Sequence, residues 1–264
     1  MPGSSFADLQ VKLREEGSWS GELKHRTKDG RELIIESRII LETVGGQQLA
    51  LESTRDVTER KAWDTQQRLL LRELTHRVKN TLTVVQSIAH QTRRFSRNFE
   101  EFTDRLDGRL AALAAAHSLL VDTEWRGADL ATLAHRQFEP YVGGNPHRVT
   151  ITGEPVFLPA DLATPFGLVF HELATNAAKF GAFSQPEGTV NMDWNLQPRN
   201  GQPVLSVVWR ERGGPKTIEP KTRGFGSELI ERAIPNATVK REFTSGGVIC
   251  TIDVQLPKDQ VAVL

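Results

Sequence analysis

The chain has a single cysteine, Cys250, among its 264 residues. That excludes an internal disulfide framework and any metal site built on several thiolates, and it fits a reducing compartment. Neither sign of charge is in excess, with Lys plus Arg and Asp plus Glu at 33 each. A neutral chain carries no electrostatic footprint for nucleic acid or an anionic membrane surface. No apolar run approaches the ~18 residues of a membrane span. The opening MPGSSFADLQ lacks the basic-then-apolar order of a secretory signal. There is no internal repeat and no low-complexity tract. These absences predict a cytoplasmic protein with no nucleic-acid partner and no membrane span, and 264 residues are enough for two or three small domains or one large one.

What is present changes character along the chain. Residues 6–16 have helical spacing (Phe6, Leu9, Leu13), and extended stretches follow at 19–26, 31–42 and 48–56. Lys28-Asp29-Gly30 and Gly45-Gly46 supply hairpin turns between them. From Ala62 to about Phe95, Leu71, Leu74, Val78, Leu82, Val85 and Ala89 fall at three- and four-residue spacings with no Gly or Pro. A second helix, about 99–121, carries Phe102, Leu106, Leu110, Leu113 and Leu120. Such a hairpin cannot bury both apolar stripes alone, and pairing into a four-helix bundle is the remedy. After Trp125 the pattern predicts helices at 128–139, 160–180 and 225–233, with strands at 149–152, 189–196, 203–210, 237–243 and 247–256. The fold class is α+β, divided as 1–61, 62–124 and 125–264.

Four clusters carry chemistry. On an α-helix, His76 points roughly 150° away from the apolar stripe, beside Glu73 and Asn80. A solvated neutral imidazole is a competent nucleophile near neutral pH, although an exposed histidine among charges is also an ordinary surface residue. Within His171–Phe180, the residues Glu172, Asn176 and Lys179 share one helical face. That face offers an acid, an amide oxygen suited to Mg²⁺ and an ammonium suited to phosphate. Trp209-Arg210-Glu211-Arg212-Gly213-Gly214-Pro215 places a carboxylate at a strand end before glycines, where a base can approach the backbone. Gly224-Phe225-Gly226-Ser227 opens a helix, an arrangement that cradles phosphate. The remaining histidines lack metal-ligand spacing, and Cys250 alternates with core residues.

Taken in this order, the clusters resemble the HWE type of sensor histidine kinase. The phosphoacceptor box is similar to 73–82, the N box to 171–182, and the two glycine boxes to 209–215 and 224–227; the resemblance covers about 64–257. Trp19-Ser20-Gly21-Glu22, Lys28-Asp29-Gly30 and Arg55–Lys61 resemble the C-terminal strands and exit motif of a PAS sensor domain, of which 1–61 would be the C-terminal part.

The resemblance implies a dimeric helical hairpin and a Bergerat (GHKL) α/β sandwich that binds ATP with Mg²⁺. It implies that His76 is the phosphoacceptor, that Asn176 holds Mg²⁺, that Glu211 reads the adenine amino group and that Lys179 meets the phosphates. His171 and Glu172 then flank the γ-phosphate, while Trp209, Gly213, Gly214, Gly224, Phe225 and Gly226 shape the nucleotide pocket and its lid. Lid cations Lys216, Lys221 and Arg223 are further phosphate contacts or a solvated loop. An acidic residue directly after the histidine is usual; here Arg77 stands there. Glu73 is the candidate base, Arg77 a partner for incoming phosphate and Asn80 a group that positions water. A receiver domain of a response regulator is the implied partner. Two other readings are an ATPase clamp of the gyrase or MutL class and a receiver-docking adaptor without catalysis.

Overall fold

The computed structural model describes residues 6–142, 144–199, 201–216 and 225–257. It forms two compact units, Met1–Thr83 and Val84–Leu264.

The first unit starts with α1 (Phe6–Glu16), β1 (Ser18–Arg26), β2 (Glu32–Val44) and β3 (Gln47–Asp56). The strands form an antiparallel sheet in chain order. Ile35, Ser37 and Ile39 alternate onto one face of β2, where they are buried together with Leu9 of α1. Every residue of β3 is exposed. The short motifs seen in the sequence have physical roles here. The Trp19 ring lies over Gly21, where a β-carbon would sit 2.5 Å from it. Glu22 accepts Lys61 at 2.5 Å. Asp56 Oδ1 accepts the Thr58 amide at 2.9 Å and its hydroxyl at 2.6 Å, and Thr58 Oγ1 accepts the Ile34 amide at 2.8 Å. The bond to the Thr58 amide satisfies a free amide at the helix start, and the bond from Ile34 ties that start to β2. The helix α2 (Thr58–Phe95) therefore begins at Thr58, four residues before the apolar periodicity becomes visible.

The division between the units falls inside α2, between Thr83 and Val84. The second unit takes in the end of α2, then α3 (Phe99–Asp122), β4 (Gly127–Asp129), α4 (Leu130–Phe138), β5 (Val149–Gly153), β6 (Phe157–Pro159) and α5 (Ala160–Phe180). It closes with β7 (Thr189–Arg199), β8 (Gln202–Arg212), α6 (Phe225–Arg232), β9 (Thr238–Thr244) and β10 (Gly247–Gln255). The five-stranded sheet has the order β5-β7-β8-β10-β9. The pairs β7–β8 and β9–β10 are antiparallel across short connections, as expected from their spacing, and β10 also pairs antiparallel with β8. The pairing of β5 with β7 is parallel, because α5 crosses between them. The short β4–β6 pair has no counterpart in the sequence reading.

The core lies between this sheet and α4–α5. Phe138 packs tilted against Phe170 (centroids 5.7 Å) and edge-on to Trp209 (5.2 Å). Val190, Met192, Leu205, Val207, Cys250 and Ile252 close it from the sheet side. Burial raises the Cys250 thiol to about 12, so it stays an inert core residue. The C-terminal half of α3 joins the same core through Ala112, Leu113, Ala116 and Leu120. Gly167 admits it, since a β-carbon there would stand 3.0 Å from that of Ala116. Hence α3 packs as part of the second unit, although its sequence pattern groups it with α2. The stripe Leu71, Leu74, Val78 and Leu82 stays more than half exposed in the single chain.

Candidate nucleotide site and phosphoacceptor helix

In the second unit a cavity of about 830 Å³ opens between α5, the end of β8, the start of α6 and one side of α3. From the sequence reading it gathers His171, Glu172, Asn176, Lys179, Glu211 and Gly226, together with Lys216. Their spacing on α5 explains the grouping. Leu173, Ala174 and Ala177 face the core, so the other face of the helix is left to the cavity.

Glu211 sits at the end of β8 and is 6% exposed. Its two oxygens accept from two donors, the Ala182 amide at 2.9 Å and the Trp209 indole N–H at 3.1 Å. Burial pushes its carboxyl above the ordinary range, and those two donors partly offset this. Each oxygen keeps a second lone pair, so the group can still accept from a ligand. The approach of α5's end to this carboxylate requires glycine at 181. A β-carbon there would lie 1.9 Å from Glu211 Oε2. Arg148 fastens the turn beyond it, donating to the carbonyls of Gln185 (2.6 Å) and Gly188 (3.1 Å) with its guanidinium over the Phe183 ring.

Three residues read as nucleotide-binding stand behind the cavity wall. Trp209 is buried at 1% and serves Glu211 through its indole N–H. Gly213, at φ +70°, and Gly214 let the chain leaving β8 pass the Gly181–Ala182 turn; a β-carbon at 214 would be 2.9 Å from the Ala182 nitrogen. The backbone of Phe225 starts α6. Gly224, Lys221 and Arg223 lie outside the described residues.

At the opposite end of the cavity, Glu172 is 5% exposed and receives Arg109 Nε from α3 at 2.7 Å. A β-carbon at Gly226 would come within 2.5 Å of Glu172 Oε2, so the start of α6 is pressed against this carboxylate. His171 is largely buried. Desolvation holds its imidazole below the usual range, against the pull of Glu172, and it is therefore neutral near pH 7. Its Nδ1 lies 3.3 Å from the Tyr141 hydroxyl, which also meets Thr175 Oγ1 at 2.9 Å. Arg109, Tyr141 and Arg241 line the cavity without having been singled out from the sequence. Arg109 did carry a signal, because it falls on the buried stripe of α3 between Leu106 and Leu113, where an unpaired cation would be costly. Arg241 faces the same space and ties β9 to α6 through Ser227 (3.0 Å) and Glu231 (2.6 Å).

His76 is in the first unit, on the exposed face of α2. Its Nδ1 is 3.4 Å from the Asn80 amide one turn on. The amide can turn its oxygen to accept Nδ1–H, which puts the free lone pair on Nε2. Glu73 and Arg77, read separately as base and phosphate partner, form an ion pair with each other.

Residues 73–155 match the family model of HWE histidine kinases. Over 249 residues the chain is 32% identical to a blue-light-activated histidine kinase of Brucella ovis, covering 88% of this chain and 50% of that one. With the protein of the same description from Brucella anthropi it is 34% identical over 205 residues, covering 76% and 41%. The chain thus spans about half the length of the curated relatives it matches. Among solved structures, the Erythrobacter litoralis EL346 blue-light activated histidine kinase has a similar fold, with a TM-score of 0.50 at 19% identity over 95% of this chain and 79% of that one. With the boxes in this order on a helical region followed by a layered α/β unit, the chain belongs to the HWE histidine kinases.

Proposed function

We propose that this chain is the kinase core of a two-component sensor. It binds Mg-ATP in the cavity of the second unit, phosphorylates its own His76 and passes the phosphoryl group to an aspartate of a response-regulator receiver domain in the cytoplasm. The observation that carries this reading is the meeting of Glu172, Asn176, Lys179, Glu211 and Gly226 around one cavity. Among the described residues no cluster of three or more His, Cys, Asp or Glu side chains would hold a metal by itself. One amide oxygen beside one carboxylate fits Mg²⁺, which takes one or two protein oxygens and completes its shell with waters and substrate phosphates. Asn176 is the ligand in this reading, and the ion supplies charge neutralisation for the phosphates. Lys179 adds a cation, and the backbone at Gly226 and the start of α6 offers N–H donors. The phosphoryl group needs positioning and charge neutralisation more than covalent help. The chain's own contribution is an exposed His76 whose Nδ1 lies beside the Asn80 amide. No helix among the described residues is long and apolar enough to cross a membrane.

Nucleotide choice tests the reading at its base end. A carboxylate at Glu211 that accepts the adenine amino group opposes the carbonyl oxygen of guanine. An unpaired desolvated acceptor costs about 1–3 kcal/mol, so ATP is preferred to GTP by roughly five- to hundredfold. Glu211→Gln is expected to weaken ATP and narrow that gap. Its amide has one acceptor where Glu211 answers two donors, so in either orientation its NH₂ faces the Ala182 amide or the Trp209 indole. Competition binding of both nucleotides to both proteins is the measurement. A wild type indifferent to the base removes Glu211 as the adenine reader.

We also propose a homodimer through the hairpin. Leu71, Leu74, Val78 and Leu82 form an exposed apolar stripe of the kind four-helix bundles cover. Leu74→Glu with Leu82→Glu is expected to shift a dimer to monomer by light scattering at constant helicity. An unchanged mass would place the contact elsewhere.

A further inference from the structure

Arg109 belongs to the hairpin's second helix, not to any box of the kinase motif, yet it is buried within the second unit. Its Nε donates to Glu172 Oε1 at 2.7 Å and its Nη1 to Thr92 Oγ1 at 2.7 Å. Thr92 in turn donates to the Ile88 carbonyl at 2.6 Å. A continuous hydrogen-bonded line therefore runs from the end of α2 through α3 to α5. Arg109, Thr92 and Glu172 are each at least nine-tenths buried. Beyond Glu172, its second oxygen stands against Gly226 at the start of α6. Beside it, Gly108 brings α3 so close to α5 that a β-carbon would be 3.1 Å from His171 Nε2. Asp104, Arg105, Gly108 and Arg109 make α3 one wall of the cavity.

An ion pair is a poor way merely to join helices. Replacing a buried pair by apolar side chains of similar volume is often neutral or stabilising. What the pair does supply is direction: the Nε donor fixes the rotation of a carboxylate that is one helical turn from Asn176. Losing a neighbour that orients a metal-site group without touching the ligand typically costs about 10- to 100-fold in affinity or activity. We propose that Arg109 is a positioning residue of the kinase site, holding Glu172 at the phosphate end and making the hairpin's second helix part of the active geometry. The proposal rests on the Mg-ATP reading above. It implies that the packing of the hairpin's base, through Thr92, sets the rate of phosphoryl transfer while leaving the base end of the cavity unaffected.

The test compares wild type, Arg109→Met, Glu172→Gln, the double variant and Thr92→Val. The readouts are melting temperature, affinity for a fluorescent ATP analogue in Mg²⁺, and initial rate of autophosphorylation. Arg109→Met is expected to lower the rate by about 10- to 100-fold, the usual scale for such a partner, with analogue affinity close to wild type. The double variant is expected to be no slower than the slower single, because both changes act through one carboxylate. Thr92→Val, which leaves Arg109, Glu172 and the cavity residues intact, is expected to slow transfer in the same direction by several-fold. Additive losses in the double variant would mean that Arg109 meets the nucleotide directly, and would overturn the proposal. So would a rate that falls only with the folded fraction. If Arg109→Met does not fold, a Thr92→Val protein with the wild-type rate overturns it alone. A wild type that binds no analogue would overturn the nucleotide reading instead, and the proposal with it.

Discussion

Asn176→Ala is expected to abolish Mg²⁺-dependent ATP binding in a protein that stays folded. The residue is partly buried on the cavity face of α5, while the helix is held from its other side by Leu173, Ala174 and Ala177. Alanine is the best helix former, so its introduction removes a polar group without loosening that packing. Removing the amide oxygen leaves Glu172 as the nearby protein acceptor, and Glu172 is already engaged by Arg109. Losing a contact to a charged group is worth about 1.5–3 kcal/mol, or about ten- to hundredfold in affinity. Titrating a fluorescent ATP analogue with and without Mg²⁺ separates this from a general loss of nucleotide binding. The Mg²⁺-dependent component should vanish while melting temperature and helicity hold. A variant that binds and turns over Mg-ATP like wild type would remove Asn176 from its assigned role.

His76→Ala is expected to eliminate phosphoprotein formation and leave nucleotide affinity as it was. The ring is exposed on α2, its polar neighbour is Asn80, and it belongs to a different compact unit from the cavity. Exposed substitutions of this kind usually change stability by about 0.5 kcal/mol or less, so a loss of label cannot be assigned to unfolding. Asn80→Ala is the milder companion: it frees the ring to rotate and should slow transfer without abolishing it. Acid-labile label retained by His76→Ala would show that another nucleophile receives the phosphoryl group.

Much of this architecture is legible in the chain because its signals are local. The helix of 160–180 and the strands around it follow from periodicity, and α5 has the very limits expected. The start of α2 was not legible from apolar spacing, since side-chain hydrogen bonds of Asp56 and Thr58 set it. The grouping of α3 with the second unit was also out of reach. Its stripe reads like that of any hairpin helix, and small residues such as Ala116 of α3, which meets Gly167 of α5, redirect it. At the site, Glu172, Asn176, Lys179 and Glu211, which line one cavity, are visible in the sequence because each box is contiguous. What the boxes could not locate is what holds those groups. Trp209 reads as a pocket wall but acts from behind as a donor to Glu211. Tyr141 and Arg109 come from 30 and 63 residues away in sequence to meet His171 and Glu172. The pairing of Arg77 with Glu73 at i,i+4 was available from spacing alone.

The central claim is that the chain transfers the terminal phosphoryl group of ATP to one histidine. Incubating the wild type with Mg²⁺ and ATP labelled at the γ-phosphate, and in parallel at the α-phosphate, tests it directly. The account predicts label from γ-ATP alone, lost in acid, stable in base, and mapped by mass spectrometry to the peptide containing His76. Release of free phosphate with no label on the protein would contradict it, and would place the chain with the nucleotide-hydrolysing clamps instead.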